Sequence, residues 1–254
     1  AGLAHVFRTE SLAGNAFQNI NEYGTANVMS IAADNGVEHF ILISSVAVYG
    51  PYKRGPFSET DPCNPLGPYA ESKYNAERRA QDIPLRTGMS LSILRFATLY
   101  GENDRGNVAR LMRAIDRQWF IWIGDGSNRK SLLYKGDAAR ASLLTATKHA
   151  SGIRIYNVSS PPCTIRDIVN CLAEALGKKP LPGHIPASIA LTMTRILSRS
   201  SNNRLVNLHQ TLKKWLAEDV YDTHRFDEMY NFDVQTTLQE GLKRQVAWYR
   251  KSRS

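Results

Sequence analysis

The chain has 254 residues, 43% of them hydrophobic and 22% charged, which describes an ordinary soluble globular protein with a large core. Its formal net charge of +9 suits a polyanionic ligand. The basic residues are scattered, densest at Arg195, Arg199 and Arg204 and in the tail. No helix-turn-helix, zinc or aromatic-rich RNA motif accompanies them, which argues against nucleic acid. No run approaches the apolar length of a membrane helix. Cys63, Cys163 and Cys171 are odd in number and lack metal-ligand spacing, so they read as reduced thiols of a cytoplasmic protein without a metal site.

Taken in chain order, the pattern predicts a helix from Phe17 to Asn35, stopped near Gly36. A short apolar run, His39 to Ile43, follows and ends in Ser44, Ser45 and a Tyr49-Gly50 turn. That composition fits a strand buried on both faces of a parallel sheet. A loop rich in Pro and Gly leads to a helix starting at Tyr69, and Ser90 to Arg95 forms the next strand. Beyond Gly101 the spacing predicts a helix from Asn107 to about Gln118, a turn at Gly124-Asp125-Gly126, a strand from Ser131 to Tyr134 and a helix opening at Asp137. The segment from Ile185 to Leu197, interrupted by Pro186, Thr192, Thr194 and Arg195, reads as amphipathic. The alternation defines an α/β protein with a Rossmann-like parallel sheet and a smaller mixed lobe, divided as 1–101 and 102–254 with later segments returning to the sheet.

In Pro68-Tyr69-Ala-Glu-Ser-Lys73, a proline at a helix start leaves Tyr69 and Lys73 one turn apart on one face. A tyrosine is a poor base at neutral pH, since its reference pKa is about 10. A cation one turn away favours the phenolate, and lowering that pKa by about 3 units corresponds to about 4 kcal/mol. An amphipathic helix with an exposed lysine is the plain alternative. Ligands in parallel sheets gather beyond the carboxyl ends of the strands, where Ser44 and Ser45 stand. Either serine also reads as a strand-end hydroxyl that satisfies nearby backbone.

These motifs together resemble the extended short-chain dehydrogenase/reductases, in the nucleotide-sugar epimerase/dehydratase branch. The resemblance runs through Asn21-Glu-Tyr-Gly24-Thr25, the serine strand from Val37 to Gly50, and Pro68 to Lys73. It continues through Leu94-Arg95 to Tyr100-Gly101, Gly124-Asp-Gly126, Asp137, Tyr156-Asn157-Val158, Leu238 to Leu242, and Trp248. It implies Tyr69 as acid/base, Ser45 holding the same sugar oxygen, and Lys73 binding the nicotinamide ribose while lowering the Tyr69 pKa. Asn21 and Ser44 join Tyr69 and Lys73 as cofactor contacts. The cofactor implied is NAD, with NADP left open because the discriminating strand is not in this chain.

The family's Gly-rich first turn is not found: the sequence contains no Gly-x-x-Gly-x-x-Gly. Ala4 to Arg8 resembles the family's fourth strand, so the sequence reads as part of a longer protein. An exposed apolar sheet edge is expected, with NAD bound by the intact parent and not by this segment alone.

The family's 4,6-dehydratases carry an Asp-Glu pair after the catalytic hydroxyl. Val46 and Ala47 stand there and cannot transfer protons. This leaves 4-epimerisation of a UDP-hexose or UDP-N-acetylhexosamine, reduction of a UDP-4-keto sugar, or sugar-nucleotide binding without catalysis. Substrate contacts are expected from Thr98, where many 4-epimerases carry Asn, and from Asn107, Arg129, Lys130 and Asn157. Asn107 reads equally as a helix cap, and Arg129 and Lys130 as solvated charges. Asp137 is expected to cap its own helix. The resemblance also implies a homodimer through the Tyr69 helix and its neighbour, with no membrane partner.

Overall fold

The structure is a computed structural model that describes residues 2–3, 15–51, 55–148, 150–179, 183–198 and 203–252. The strand expected at Ala4 to Arg8 lies outside the described residues.

The centre is a parallel sheet in the order β1-β2-β7, formed by β1 (His39–Ser45), β2 (Ser90–Phe96) and β7 (Ile153–Val158). Its register pairs His39 with Ser90, Ser45 with Phe96, and Phe96 with Val158. All seven residues of β2 are buried, as the middle strand of a sheet covered on both faces must be. Alternate side chains point to opposite faces. Leu91 and Ile93 meet Met29 of α1 (Gly24–Asp34) and Ala80 of α2 (Pro68–Asp82). Leu94 and Phe96 join Tyr156 and Val158 in packing with residues of two later helices.

Between β2 and β7 the chain builds the second lobe. β3 (Thr98–Tyr100) pairs in parallel with β6 (Leu132–Tyr134), β4 (Trp122–Ile123) with β9 (His184–Ile185), and β5 (Arg129–Lys130) runs antiparallel to β8 (Cys163–Thr164). Three helices, α3 (Asn107–Asp116), α5 (Ile165–Leu176) and α9 (Leu238–Lys251), enclose a core that includes Leu111, Met112, Leu172 and Leu242. α5 opens on a reciprocal cap: Thr164 Oγ1 accepts the Asp167 amide at 3.0 Å, and Asp167 Oδ2 accepts the Thr164 amide at 2.9 Å. Further helices are α4 (Lys135–Thr147), α6 (Ala187–Leu197), α7 (Asn203–Leu216) and α8 (His224–Tyr230), besides one turn at Pro84–Thr87. Ala138 and Ala141 of α4, with Phe226 and Tyr230 of α8, cover the sheet face opposite α1.

Several boundaries differ from the sequence reading for local reasons. α1 is entered through a π-helical stretch, Gln18–Tyr23, that buries the polar pair Asn21 and Glu22. α3 stops at Asp116 because Gln118 adopts a left-handed φ of 59°. α4 opens at Lys135, not at Asp137. β6 starts at Leu132, since the Ser131 amide is drawn to the Asp219 carbonyl at 2.7 Å. The sheet strand β7 lies well beyond residue 101.

Candidate active site

Ser45 ends β1 and Tyr69 stands in the first turn of α2, whose N-terminus is set by Pro68. Ser45 stands near enough to Tyr69 to favour its phenolate. The Ala47 amide donates to Ser45 Oγ at 3.2 Å and fixes the side chain at the start of a 3-10 turn, Val46–Tyr49. Lys73, one turn beyond Tyr69, extends to the strand and donates to the Ile43 carbonyl at 2.8 Å. The expected trio therefore converges at the carboxyl end of the parallel sheet.

The electrostatics differ from expectation. Burial raises the Tyr69 phenol above its ordinary value, and Ser45 offsets only part of this. Burial lowers Lys73, and the Glu77 carboxylate counters it. The predicted lowering of Tyr69 by Lys73 does not appear, because the ammonium is engaged with the Ile43 carbonyl.

Glu77 was not singled out by the sequence reading. It falls one turn after Lys73 on the same helix face and is fully buried. Arg95 of β2 grips it with Nη2 at 2.7 Å from Oε2 and Nε at 3.1 Å from Oε1. Burial works against the Arg95 charge, but the Glu77 carboxylate more than offsets it. Arg95 Nη1 also donates to the Tyr49 hydroxyl at 3.0 Å, and that hydroxyl donates to Asn157 Oδ1 at 2.7 Å.

Three residues expected to contact ligands have protein partners. Ser44 points away from Ser45, by strand alternation, and donates to Glu77 Oε1, so its hydroxyl serves the ion pair. Asn157 is wholly buried: its Nδ2 donates to the Phe57 and Asp222 carbonyls at 3.1 Å each. Asn21 accepts the Leu3 amide at 2.7 Å and donates to Ser72 Oγ at 3.1 Å, tying residue 3 to the catalytic helix.

A cleft of about 520 Å³, partly open to solvent, lies beside β3 and is lined by Thr98, Asn107, Lys130, Ser131, Lys214, Trp215 and Asp219 among others. Thr98, Asn107 and Lys130 thus meet as expected. Asn107 is not the cap of α3: Asp104 does that, accepting the Gly106 amide at 2.6 Å and the Ala109 amide at 2.9 Å. Lys130 is buried, with Nζ on Asp219 Oδ2 at 2.7 Å and on the Lys214 carbonyl at 2.8 Å. Burial lowers its pKa and Asp219 counters that. Arg129, alternating to the other side, pairs with exposed Glu218 at 3.0 Å and does not line the cleft. Ser131 Oγ is buried in the cleft wall without a hydrogen-bond partner. Asp137 accepts the Gln235 and Thr236 amides at 3.0 and 3.1 Å, so it anchors a distant loop instead of capping its own helix.

One short segment ties the two regions together. The Asp219 carbonyl holds Ser131, the Val220 carbonyl accepts the Phe57 amide at 2.9 Å, and the Asp222 amide donates to the Phe57 carbonyl at 2.8 Å. Asn157 then holds the Asp222 carbonyl.

A parallel sheet with serine, tyrosine and lysine converging at its carboxyl end defines a nucleotide-cofactor α/β enzyme. The comparisons specify which. Residues 1–159 match the model of the NAD dependent epimerase/dehydratase family, and the chain belongs to that family. It is 30% identical over 238 residues to the N-acetyl-alpha-D-glucosaminyl-diphospho-ditrans,octacis-undecaprenol 4-epimerase of Escherichia coli O157:H7, covering 91% of this chain and 71% of that protein. It is 26% identical to the UDP-glucuronate 4-epimerase of Thermodesulfobacterium geofontis, covering 91% and 65%. Among solved structures, MoeE5 in complex with UDP-glucuronic acid and NAD superposes with a TM-score of 0.74 at 27% identity, over 99% of this chain and 77% of that one. The UDP-glucuronic acid 4-epimerase of Bacillus cereus, at 18% identity and TM-score 0.77, shares the fold.

The residues present fit one end of NAD. Lys73 spends one donor on Ile43 and, as an ammonium, carries two more, beside the Ser45–Tyr69 pair.

Proposed function

We propose that this protein is an NAD-dependent nucleotide-sugar 4-epimerase acting on a UDP-linked hexose or N-acetylhexosamine. The observation that carries this reading is Ser45 at the end of β1 acting on Tyr69, with Lys73 one turn on and its ammonium held at the Ile43 carbonyl. The relatives named as 4-epimerases support it.

With a cationic nicotinamide ring beside it to favour the phenolate that burial alone disfavours, Tyr69 Oη would take the proton from the sugar's 4-hydroxyl and later return it, while Ser45 Oγ holds that oxygen in line. Lys73 would hold the ribose next to the nicotinamide of NAD, which supplies reversible hydride acceptance when bound. Val46 and Ala47 carry no proton, so nothing beside Ser45 drives elimination of water. Lys130 offers a point charge to a diphosphate, and Ser131 a hydroxyl. We also infer a homodimer through α1 and α2, supported by the exposed Val28 and Ile31 on α1.

Incubating full-length protein with NAD and UDP-sugars, followed by NMR of the anomeric protons, tests the function. Interconversion of 4-epimers without net cofactor turnover is the expected result. Stoichiometric consumption of NAD(P)H would replace it with a 4-keto-sugar reductase. Tyr69→Phe is expected to lower activity by a factor of about 100 or more, and retained activity removes Tyr69 from the mechanism.

A further inference from the structure

From Ala175 to Ala217 the sequence contains no Asp or Glu, yet it carries seven Lys or Arg: Lys178, Lys179, Arg195, Arg199, Arg204, Lys213 and Lys214. The acidic residues that balance charge elsewhere are excluded from this stretch, which includes β9, α6 and α7. Such a segment favours an anionic surface.

The same stretch displays apolar side chains to solvent. Ile189, Met193 and Ile196 of α6 are 51, 57 and 60% exposed. Their spacing of four and three residues places them on one helix face. The other face of α6 is accounted for: Ala190 is buried and Thr194 Oγ1 meets His209 Nδ1 of α7 at 2.9 Å. Exposed Ile185 precedes the stripe, and the β4–β9 pairing brings the segment of exposed Trp119 and Ile121 alongside it. Arg195, Lys178 and Lys179 are exposed around these groups. An apolar stripe with a tryptophan nearby, in a sequence stretch with cations and no acids, has the composition of a helix that lies in the plane of a membrane surface, although exposed Asp125 stands beside its start.

The position of this hairpin relative to the site gives the stripe a purpose. α7 ends in Lys214 and Trp215, which line the cleft, and Ala187 at the start of α6 packs near Gly124 with Leu216. The hairpin therefore joins the cleft wall to the apolar stripe. We propose that the α6–α7 hairpin docks this protein on the anionic face of a phospholipid bilayer, with Ile189, Met193 and Ile196 inserted among the lipids and the surrounding lysines and arginines at the headgroups. Docking of this kind presents the cleft to sugar diphosphates carried on a lipid, the type of compound named for the Escherichia coli relative. It needs no spanning helix, and among the described residues no helix is long and apolar enough to cross a membrane. The inference goes beyond the proposed reaction, since epimerisation of a soluble UDP-sugar requires no membrane.

The test is cosedimentation of the protein with vesicles of phosphatidylcholine alone and of phosphatidylcholine mixed with phosphatidylglycerol. The protein is expected to pellet with the anionic vesicles, weakly with the neutral ones, and less at high salt. Ile189→Ser combined with Met193→Ser, both at exposed positions where folding is not at stake, is expected to lower the partition about tenfold or more. Thermal melts of wild type and variant check that both are folded. The proposal is overturned if wild type stays in the supernatant with anionic vesicles, or if the double variant pellets equally well. It is overturned in favour of a second copy if the stripe variants only convert a dimer to a monomer in sedimentation velocity without any vesicle binding. None of these readings depends on catalytic activity, so a failed epimerase assay leaves the result intact.

Discussion

Glu77 connects stability with chemistry at the scale of a single side chain. It is buried against Arg95, takes the Ser44 hydroxyl, and counters the burial of Lys73. Glu77→Gln strands a buried guanidinium and is expected to cost about 3–5 kcal/mol, read as a lower urea midpoint. Glu77→Leu with Arg95→Met removes both charges and should restore most of that loss. The double variant nevertheless leaves Lys73 without its carboxylate, so the alkaline limb of the activity profile should move to lower pH. An unchanged limb in a well-folded double variant would show that Glu77 acts on packing alone. The Tyr69, Lys73 and Ser45 set was legible because Tyr-x-x-x-Lys follows a strand that ends in hydroxyls. Glu77 carried a signal too, as the next residue on that helix face, but an acid four residues after a lysine reads first as a surface pair. The Ser44–Glu77 bond was not legible because two adjacent serines look alike until the strand assigns them opposite faces.

At the scale of elements, the turn after β1 places the loop that precedes the catalytic helix. Gly50 has φ of 74°, and a Cβ there would stand 1.9 Å from the Asn64 carbonyl oxygen. Gly50→Ala is therefore strained twice and should destabilise the fold by about 2 kcal/mol or more, measured by chemical unfolding. On the neighbouring helix, Val28→Asp with Ile31→Asp is expected to convert the inferred dimer to a monomer in sedimentation velocity. A variant that sediments unchanged would place the interface elsewhere. Apart from β6, the two- and three-residue strands were not read, nor were the later helices, whereas the longer elements up to α4 were readable in order and type, because burial imposes periods of 3.6 and 2 residues on them. Their ends were not, since they depend on partners remote in sequence. Asp219 stops β6 from starting at Ser131, and Gln235 and Thr236 take the carboxylate expected to cap α4.

For the whole molecule, buried proton donors set an alkaline limit. Burial pushes Tyr49 and Tyr156 from 10.0 up to about 12, and Cys163 from 9.0 up to about 12. Between those values the unfolded chain has released protons that the folded chain retains. The folded state then binds more protons, so stability falls as pH rises. The stabilising contribution is whole below about pH 9 and shrinks progressively towards pH 12. Urea midpoints measured across that range should decline, and a flat profile would contradict the assigned burial. The parallel sheet could be read from the βα alternation along the chain. That later segments return to the sheet was expected; which strand does so, β7 beside β2, is a product of topology.

The tie at Asp219 to Asp222 has a mechanical consequence. Four consecutive residues are stitched at one end to the strand of Lys130 and at the other to the loop of Phe57 and the buried amide of Asn157. No hinge can lie within that stitch without breaking backbone hydrogen bonds on both sides. Any opening of the cleft to admit a sugar must pivot about a different seam, and this corner of the wall travels with the sheet as a fixed jamb.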